Sequence, residues 1–307
     1  MKAIKLASVF AVSAVAAAVS TTTFAAEPVV TGTAGLEYVT YGENANGSSL
    51  SGNKNGELNI VVDTGVVFAQ LEFKTDGGDE KNDDNDEKVT IGLEKIYVTQ
   101  GAVQFGRFDG SVSTGAFMGN DEIYGGVDLN TGQGTKGDTD DTGIRYHVTP
   151  ELTVAIEATE AVSKASSATG KALDSQIGFA VSYVKDFGAF KAGVSGGKVE
   201  DAQSANIGAQ TVVGPATLSL NYGVGKTGTD TTTDVKQLAA SVAVAATDAL
   251  TLTLQFNQDQ EGDDKDSGTY FIGEYEAGDL TYYVKNYAGD LVGKAAERTI
   301  VGVKATF

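Results

Sequence analysis

From about Val29 to the carboxyl end, apolar and polar residues alternate in short segments set apart by turn residues. The last segment shows it most clearly. Thr299, Val301, Val303, Ala305 and Phe307 fall on one face; Arg298, Gly302, Lys304 and Thr306 fall on the other, with Ile300 as an apolar exception. A period of two predicts a β-strand with one greasy and one polar side. Leu250, Leu252, Leu254 and Phe256 alternate in the same way, as do Ala216, Leu218, Leu220 and Tyr222, and Ile177, Phe179, Val181 and Tyr183. Their partners on the second face are mostly Gln, Asn, Ser, Thr and Gly. Two packed sheets would bury one face of each strand against the other sheet. A closed membrane barrel instead turns the apolar face to lipid and the polar face to a lumen.

The connections sort into two kinds. Short turns are expected at 63–65, 99–101, 149–151, 185–188, 213–215, 247–248 and 277–279. Polar loops, mostly longer, are expected near 42–55, 76–87, 109–140, 161–172, 200–203, 226–233, 259–267 and 289–295. Seven turns alternating with eight loops require about sixteen antiparallel strands. Turns at one rim and loops at the other are what a membrane barrel with both termini on the turn side presents. A soluble sandwich has no reason to sort its connections by end. Pro28, Pro150 and Pro215 are the only prolines, and the last two fall in expected turns, where no strand hydrogen bond is lost.

The amino terminus has its own pattern. Lys2 and Lys5 precede an apolar run from Leu6 to Val19, followed by Thr23-Phe24-Ala25. This is the order of a secretory signal peptide, with cleavage expected after Ala25. The organisation is then a signal at residues 1–25 and one barrel domain over residues 26–307. No later stretch is long and apolar enough for a membrane helix. The chain has no cysteine, so an exported form has neither disulfides nor a cysteine-bound metal. The formal net charge is −19, and removing Lys2 and Lys5 makes it −21. Such a charge disfavours nucleic acid and favours cations.

Ile91-Gly92-Leu93, a tight turn, then Gly101-Ala102-Val103-Gln104-Phe105-Gly106-Arg107-Phe108-Asp109 lead into the longest loop. With the signal peptide and the terminal Phe307, this resembles the general diffusion porins of Gram-negative bacteria, of the gamma-proteobacterial type. The resemblance implies residence in the outer membrane, with Phe307 as the signal read by the barrel-insertion machinery. It further implies assembly as a homotrimer, a third loop folded into the lumen, and passive diffusion of ions and small hydrophilic solutes. The chain departs from that family in lacking a Pro-Glu-Phe-Gly-Gly motif. It also has only three arginines, Arg107, Arg145 and Arg298, too few for a dense basic ladder.

A constriction sets acidic side chains on the loop against basic ones on the wall. The loop candidates are Asp109, Asp121, Glu122 and Asp128, with Asp138, Asp140 and Asp141 further along. Wall candidates on the polar face are Lys74, Arg145, His147, Lys191, Lys285, Arg298 and Lys304, beside the acids Glu37, Glu72, Glu94 and Glu274. Strict alternation sends Arg107 to the lipid side with Val103 and Phe105. The family motif places it in the lumen, and the lumen is the position expected here. The acidic balance, with only Lys136 offsetting the loop's acids between Asp109 and Asp140, predicts modest cation selectivity.

The acidic runs 76–87 and 259–266 are expected as solvated outer loops. They could bridge to lipopolysaccharide through divalent cations, since Mg²⁺ and Ca²⁺ take carboxylate oxygens, but neither has the spacing of a built calcium loop. No cofactor is implied. An enzyme is disfavoured: His147 is the sole histidine, and no Gly-x-Ser-x-Gly elbow or phosphate loop is present. The competing function is an adhesin or structural surface protein whose acidic loops bind a partner. Conductance separates the two.

Overall fold

A computed structural model describes residues 27–42, 48–51, 56–75, 89–114, 126–132, 139, 142–162, 172, 174–228, 231–292 and 297–307. The expected signal peptide lies outside these residues, as do Asp121, Glu122, Lys136 and the acidic run 76–87.

The strands are β1 (Val29–Tyr41), β2 (Ser49–Ser51), β3 (Glu57–Asp63), β4 (Val67–Thr75), β5 (Val89–Gln100), β6 (Val103–Arg107), β7 (Thr142–His147), β8 (Leu152–Ala158) and β9 (Ile177–Asp186). The second half holds β10 (Phe190–Val199), β11 (Ala202–Val213), β12 (Ala216–Thr227), β13 (Thr233–Ala245), β14 (Leu250–Glu261), β15 (Asp264–Ala277), β16 (Leu280–Gly289) and β17 (Arg298–Thr306). The helix among the described residues is a single turn, Asp290–Val292.

From β3 onward each strand pairs antiparallel with the next, and β17 pairs back onto β1, from Thr33 opposite Thr306 to Tyr41 opposite Arg298. The sheet therefore has no open edge, which a lipid environment requires because nothing there can satisfy an unpaired backbone group. β2 and β3 are two stretches of one barrel strand. Both lie along β1, with Glu37 opposite Ser51 and Thr33 opposite Glu57. The barrel thus has sixteen strands.

All seven short turns fall where the residue pattern puts them. Asp63 and Asp186 each accept the amide of the glycine two residues on, which closes the bend. The opposite rim differs from expectation in one place. β10 and β11 are joined by Glu200–Asp201, the one short connection expected at this rim, but β14 and β15 are joined by Gly262–Asp263 alone. The acidic run 259–266 is therefore a strand hairpin with an exposed tip rather than a loop. Asp259 stands opposite Asp266 and Glu261 opposite Asp264 in the last rungs of a hairpin. By parity with Gln255 and Asn257 these carboxylates belong to the inward face.

Register divides the faces cleanly. Ile177, Phe179, Leu218, Leu220, Leu254 and Val301 are outward and exposed; Gly178, Ala180, Ser219, Asn221 and Gln255 between them are buried. Ile300, the apolar exception, has a physical reason. It packs with Val39, Tyr270, Tyr283 and Tyr287 into a small inward apolar cluster, where Tyr270 meets Tyr287 edge-on at 4.5 Å. Gly302 makes room for it, since a Cβ there would overlap the Tyr283 ring. A second irregularity lies on β5. Leu71 faces Leu93 and Gln70 faces Lys95, so Glu94 is the extra residue of a β-bulge. The bulge keeps Ile91, Leu93 and Ile96 all outward and turns Lys95 to the lumen side.

Candidate functional site

The connection between β6 and β7 does not stay at the rim. Two described stretches, 108–114 and 126–132, lie against inward side chains of the barrel wall, and three groups hold them.

The first is Glu157 on β8, an inward position in register with Gly143. It is only 2% exposed. Its carboxylate accepts the Val112 amide at 2.7 Å and the hydroxyls of Ser111 and Thr139. A buried carboxylate is costly unless its lone pairs are filled, and here the loop fills them.

The second is Arg145 on β7, opposite Gln104. Its guanidinium lies 3.9 Å over the Phe108 ring and donates to the Gly110 carbonyl. Tyr97 stacks with the same Phe108 ring at 5.1 Å. The loop's first turn is thereby held by an arginine and a tyrosine of the wall.

The third is Asn206 on β11. Its amide donates to the Ser113 carbonyl at 2.7 Å and the Val127 carbonyl at 3.0 Å, and its oxygen accepts the Val127 amide at 2.8 Å. One side chain joins both arms of the loop to the wall. Ser195, facing it on β10, donates to the Ser113 and Thr114 carbonyls at 2.9 and 3.0 Å. The wall is bare of side chains where the second arm docks. A Cβ at Gly223 would overlap the Asn206 oxygen, and one at Gly225 would come within 2.7 Å of Val127. Leu129 seals this contact against Val199 and Ala202. Glycine is needed here for close approach, not for a special backbone angle.

The expected site residues divide among these contacts and others. Asp109 meets Lys95 at 3.1 Å. Asp128, exposed on the docked arm, accepts the Thr114 hydroxyl. Lys74 faces inward and pairs with Glu72 at 2.7 Å. Lys285 is inward, between Ile272 and Ile300 in register. Arg298 is inward and stacks on Tyr287 at 4.5 Å. Lys304 pairs with Glu274 at 3.6 Å. His147 bonds Gln104 and Thr153, each at 3.0 Å, as a member of the wall's polar network.

Arg107 is a correction. It stands opposite Ile96, which is outward and exposed, so it occupies the lipid-side register that alternation dictates rather than the lumen. A charge there is tolerable because Glu160 lies 3.7 Å away, beyond the end of β8. The structure does not bring Arg107 together with Arg145.

Sequence reasoning passed over Lys95, Glu157, Ser195 and Asn206. Lys95 was hidden by the bulge. The alternation Thr153, Ala155, Glu157 marks the acid as inward, and Ser204, Asn206, Gly208 marks the amide. Among the described residues no group of three or more His, Asp or Glu is placed to hold a metal ion.

No protein-family model and no curated sequence matches the chain. Solved structures do match it in fold. OmpF of Salmonella typhi, in complex with daunomycin, superimposes with a TM-score of 0.62 at 12% identity over 91% of this chain and 97% of that one. The outer membrane channel DcaP of Acinetobacter baumannii gives 0.59 at 14% over 92% and 98%. OmpT of Vibrio cholerae in its trimer form gives 0.59 at 13% over 92% and 99%. The fold is that of the outer-membrane porins. Within that fold the inward loop, its three anchors and the charged wall make the lumen the candidate functional site.

Proposed function

We propose that the chain, exported by its signal at residues 1–25, forms a water-filled outer-membrane channel for passive diffusion of ions and small hydrophilic solutes. The observation that carries this reading is the loop anchored inside a closed barrel by Glu157, Arg145 and Asn206. A loop held across a polar lumen narrows it without filling it with an apolar core, and opposed charges there orient water and solutes. The residues act as wall and constriction, not as a nucleophile and base.

Modest cation preference is part of the proposal. Inward acids, among them Glu37, Glu57, Glu72, Asp186, Glu274 and Glu276, outnumber inward cations. Asp109 and Asp128 on the loop add to them, with Asp121 and Glu122 outside the described residues. Local potential counts within a Debye length, about 8 Å at physiological salt. Planar-bilayer recording tests both parts. Discrete conductance steps and a reversal potential of cation sign in a KCl gradient are expected. Absence of steps removes the channel; anion sign removes the charge reasoning.

Assembly as a homotrimer belongs to the same reading, supported by the resemblance and by the trimeric V. cholerae OmpT. Small outward residues such as Ala34 and Ala305, paired across β1 and β17, suit a close subunit contact. Lipopolysaccharide contact through divalent cations is assigned to the acidic run 76–87. The adhesin reading loses one of its two acidic loops, because 259–266 is a strand hairpin with inward carboxylates.

A further inference from the structure

Among the described residues, the cations in outward register are Arg107, Lys185, Lys198, Lys226, Lys236 and Lys265. They are not scattered. Lys198 on β10, Lys226 on β12, Lys236 on β13 and Lys265 on β15 all sit at the loop-side ends of strands in the run β10–β15. Register joins them into a belt. Lys198, Gln203 and Lys226 form one cross-strand row that ends on Asp234. Lys236, Gln260 and Lys265 form another. Lys236 is two residues along β13 from Asp234, so it is the diagonal neighbour of Lys226, at about 7–8 Å. Lys198 and Lys226, like Lys236 and Lys265, are on alternate strands, which lie about 10 Å apart.

The acids of this region do not cancel the belt. Asp259, Glu261, Asp264 and Asp266 take inward register, and Glu200, Asp201 and Asp263 lie in the hairpin tips. Asp234 is the single outward acid on β10–β15 and pairs with Lys226 at 3.7 Å. Lys198, Lys236 and Lys265 are exposed and in no ion pair among the described residues. A chain of formal charge −19 thus turns a row of ammonium groups toward its surroundings at one rim.

Each strand orders its outward residues in the same way. From the turn side, β12 presents Leu218, Leu220, Tyr222 and Val224, then Lys226. β10 presents Phe190, Ala192, Val194 and Gly196, then Lys198. β13 presents Val242, Ala240 and Leu238, then Lys236. The apolar rungs come first and a lysine closes them. A lysine so placed extends its stem over hydrocarbon and carries its charge to headgroup level, where the anion available is a lipid phosphate.

We propose that the loop-side outer face of β10–β15 binds a phosphorylated glycolipid of that leaflet, with its phosphates directly on Lys198, Lys226 and Lys236 and its acyl chains along the apolar rungs beneath. The inference rests on the reading of the chain as a membrane barrel. It needs no bridging divalent cation, which separates it from the contact assigned to the run 76–87. The subunit contact through Ala34 and Ala305 lies on β1 and β17, with β14–β16 on one side and β3–β9 on the other between it and these lysines.

Native mass spectrometry of the folded full chain in detergent with chelator, with added diphosphorylated lipid A or the same lipid dephosphorylated, tests it. The diphosphorylated form should be retained in preference, and inorganic phosphate at the same concentration should not displace it. Lys236→Gln should lower its retention about fivefold, the scale of one basic residue at a lipid surface, and the triple variant with Lys198→Gln and Lys226→Gln should lower it further. Lys185→Gln removes an outward charge at the opposite rim and should change nothing. Equal retention of the two lipids, loss of the adduct in chelator, displacement by inorganic phosphate, or an equal effect of Lys185→Gln overturns the site. A change in oligomer mass in the triple variant assigns the belt to a subunit contact and also overturns it. Heat-modifiable migration and vesicle insertion of the same proteins report on the barrel separately: insertion without a lipid adduct removes only this site.

Discussion

Replacing Asn206 by alanine should loosen the inward loop while leaving the barrel folded. The side chain is 5% exposed and makes three hydrogen bonds to two loop arms. At about 1 kcal/mol net each, the anchor contributes about 3 kcal/mol; partial hydration of the freed groups in a wet lumen reduces this to about 2 kcal/mol. A change of about 2 kcal/mol raises the population of the detached arm about thirtyfold. The barrel does not share the loss, because the backbone pairs of Asn206 with Ser195 and Gly223 are untouched. Single-channel recording should show larger current noise and a raised mean conductance. Hydrogen exchange at Val127 and neighbouring loop amides should accelerate by a similar factor, with β11 and β12 unchanged. Asn206→Asp sharpens the test. It keeps the acceptor for the Val127 amide but sets a carboxylate against the Ser113 and Val127 carbonyls, so it should loosen the loop at least as much as alanine. Wild-type noise and wild-type exchange in both variants would refute the anchoring role.

Glu157→Gln should weaken the first arm by about 1–3 kcal/mol, because an amide group cannot accept the Val112 amide and both hydroxyls as a carboxylate does; exchange at Val112 reports it. Gly302→Ala should lower the unfolding midpoint on heated gels through a cost of about 1–3 kcal/mol, since its Cβ overlaps the Tyr283 ring, and Tyr283→Ala in the same chain should restore most of it. Neutralising Asp121, Glu122 and Asp128 together should lower the cation-to-anion permeability ratio. Lys74→Gln should raise that ratio, because Glu72 loses its partner at 2.7 Å; a shift of the same sign in these two variants contradicts the charge reasoning.

The strands were legible because their signal is a period of two, repeated until the ring closes. Face assignments on β17, β14, β12 and β9 needed only counting. Legibility failed wherever parity breaks or polarity misleads. The bulge at Glu94 shifts the count by one, and nothing in Gly-Leu-Glu-Lys announces which residue is extra. The hairpin 259–266 is acidic enough to look like solvent-exposed loop, yet its carboxylates alternate with Gln260, Lys265 and Ser267 and keep strand register. Arg107 went wrong for another reason. Parity puts it outward, as the strand register does, and the motif resemblance points the other way. The loop anchors were the hardest to see, because Asn206 and Glu157 are separated from Ser113 and Ser111 by 93 and 46 residues. Only closure of the barrel brings them together, and a polar inward residue looks the same in sequence whether it meets water or a loop.

The pairing pattern of the cations determines how the lumen's charge acts. None of the three arginines stands alone on the wall. Arg145 is covered by Phe108 and the Gly110 carbonyl, Arg298 is stacked on Tyr287, and Arg107 is at the outward register with Glu160. Three inward lysines, Lys74, Lys95 and Lys304, each have a carboxylate within 4 Å. A neighbour at that distance cancels most of a lysine's potential beyond about one Debye length. Other acids on the same face are in no ion pair among the described residues: Glu261 and Asp264, for example, face each other across the outer hairpin. A solute ion therefore meets neutral pairs and a remainder of carboxylates. That remainder, more than the overall excess of acidic residues, is the physical basis for the proposed cation preference. It also explains why removing a lysine should change selectivity as much as removing an acid, with opposite sign.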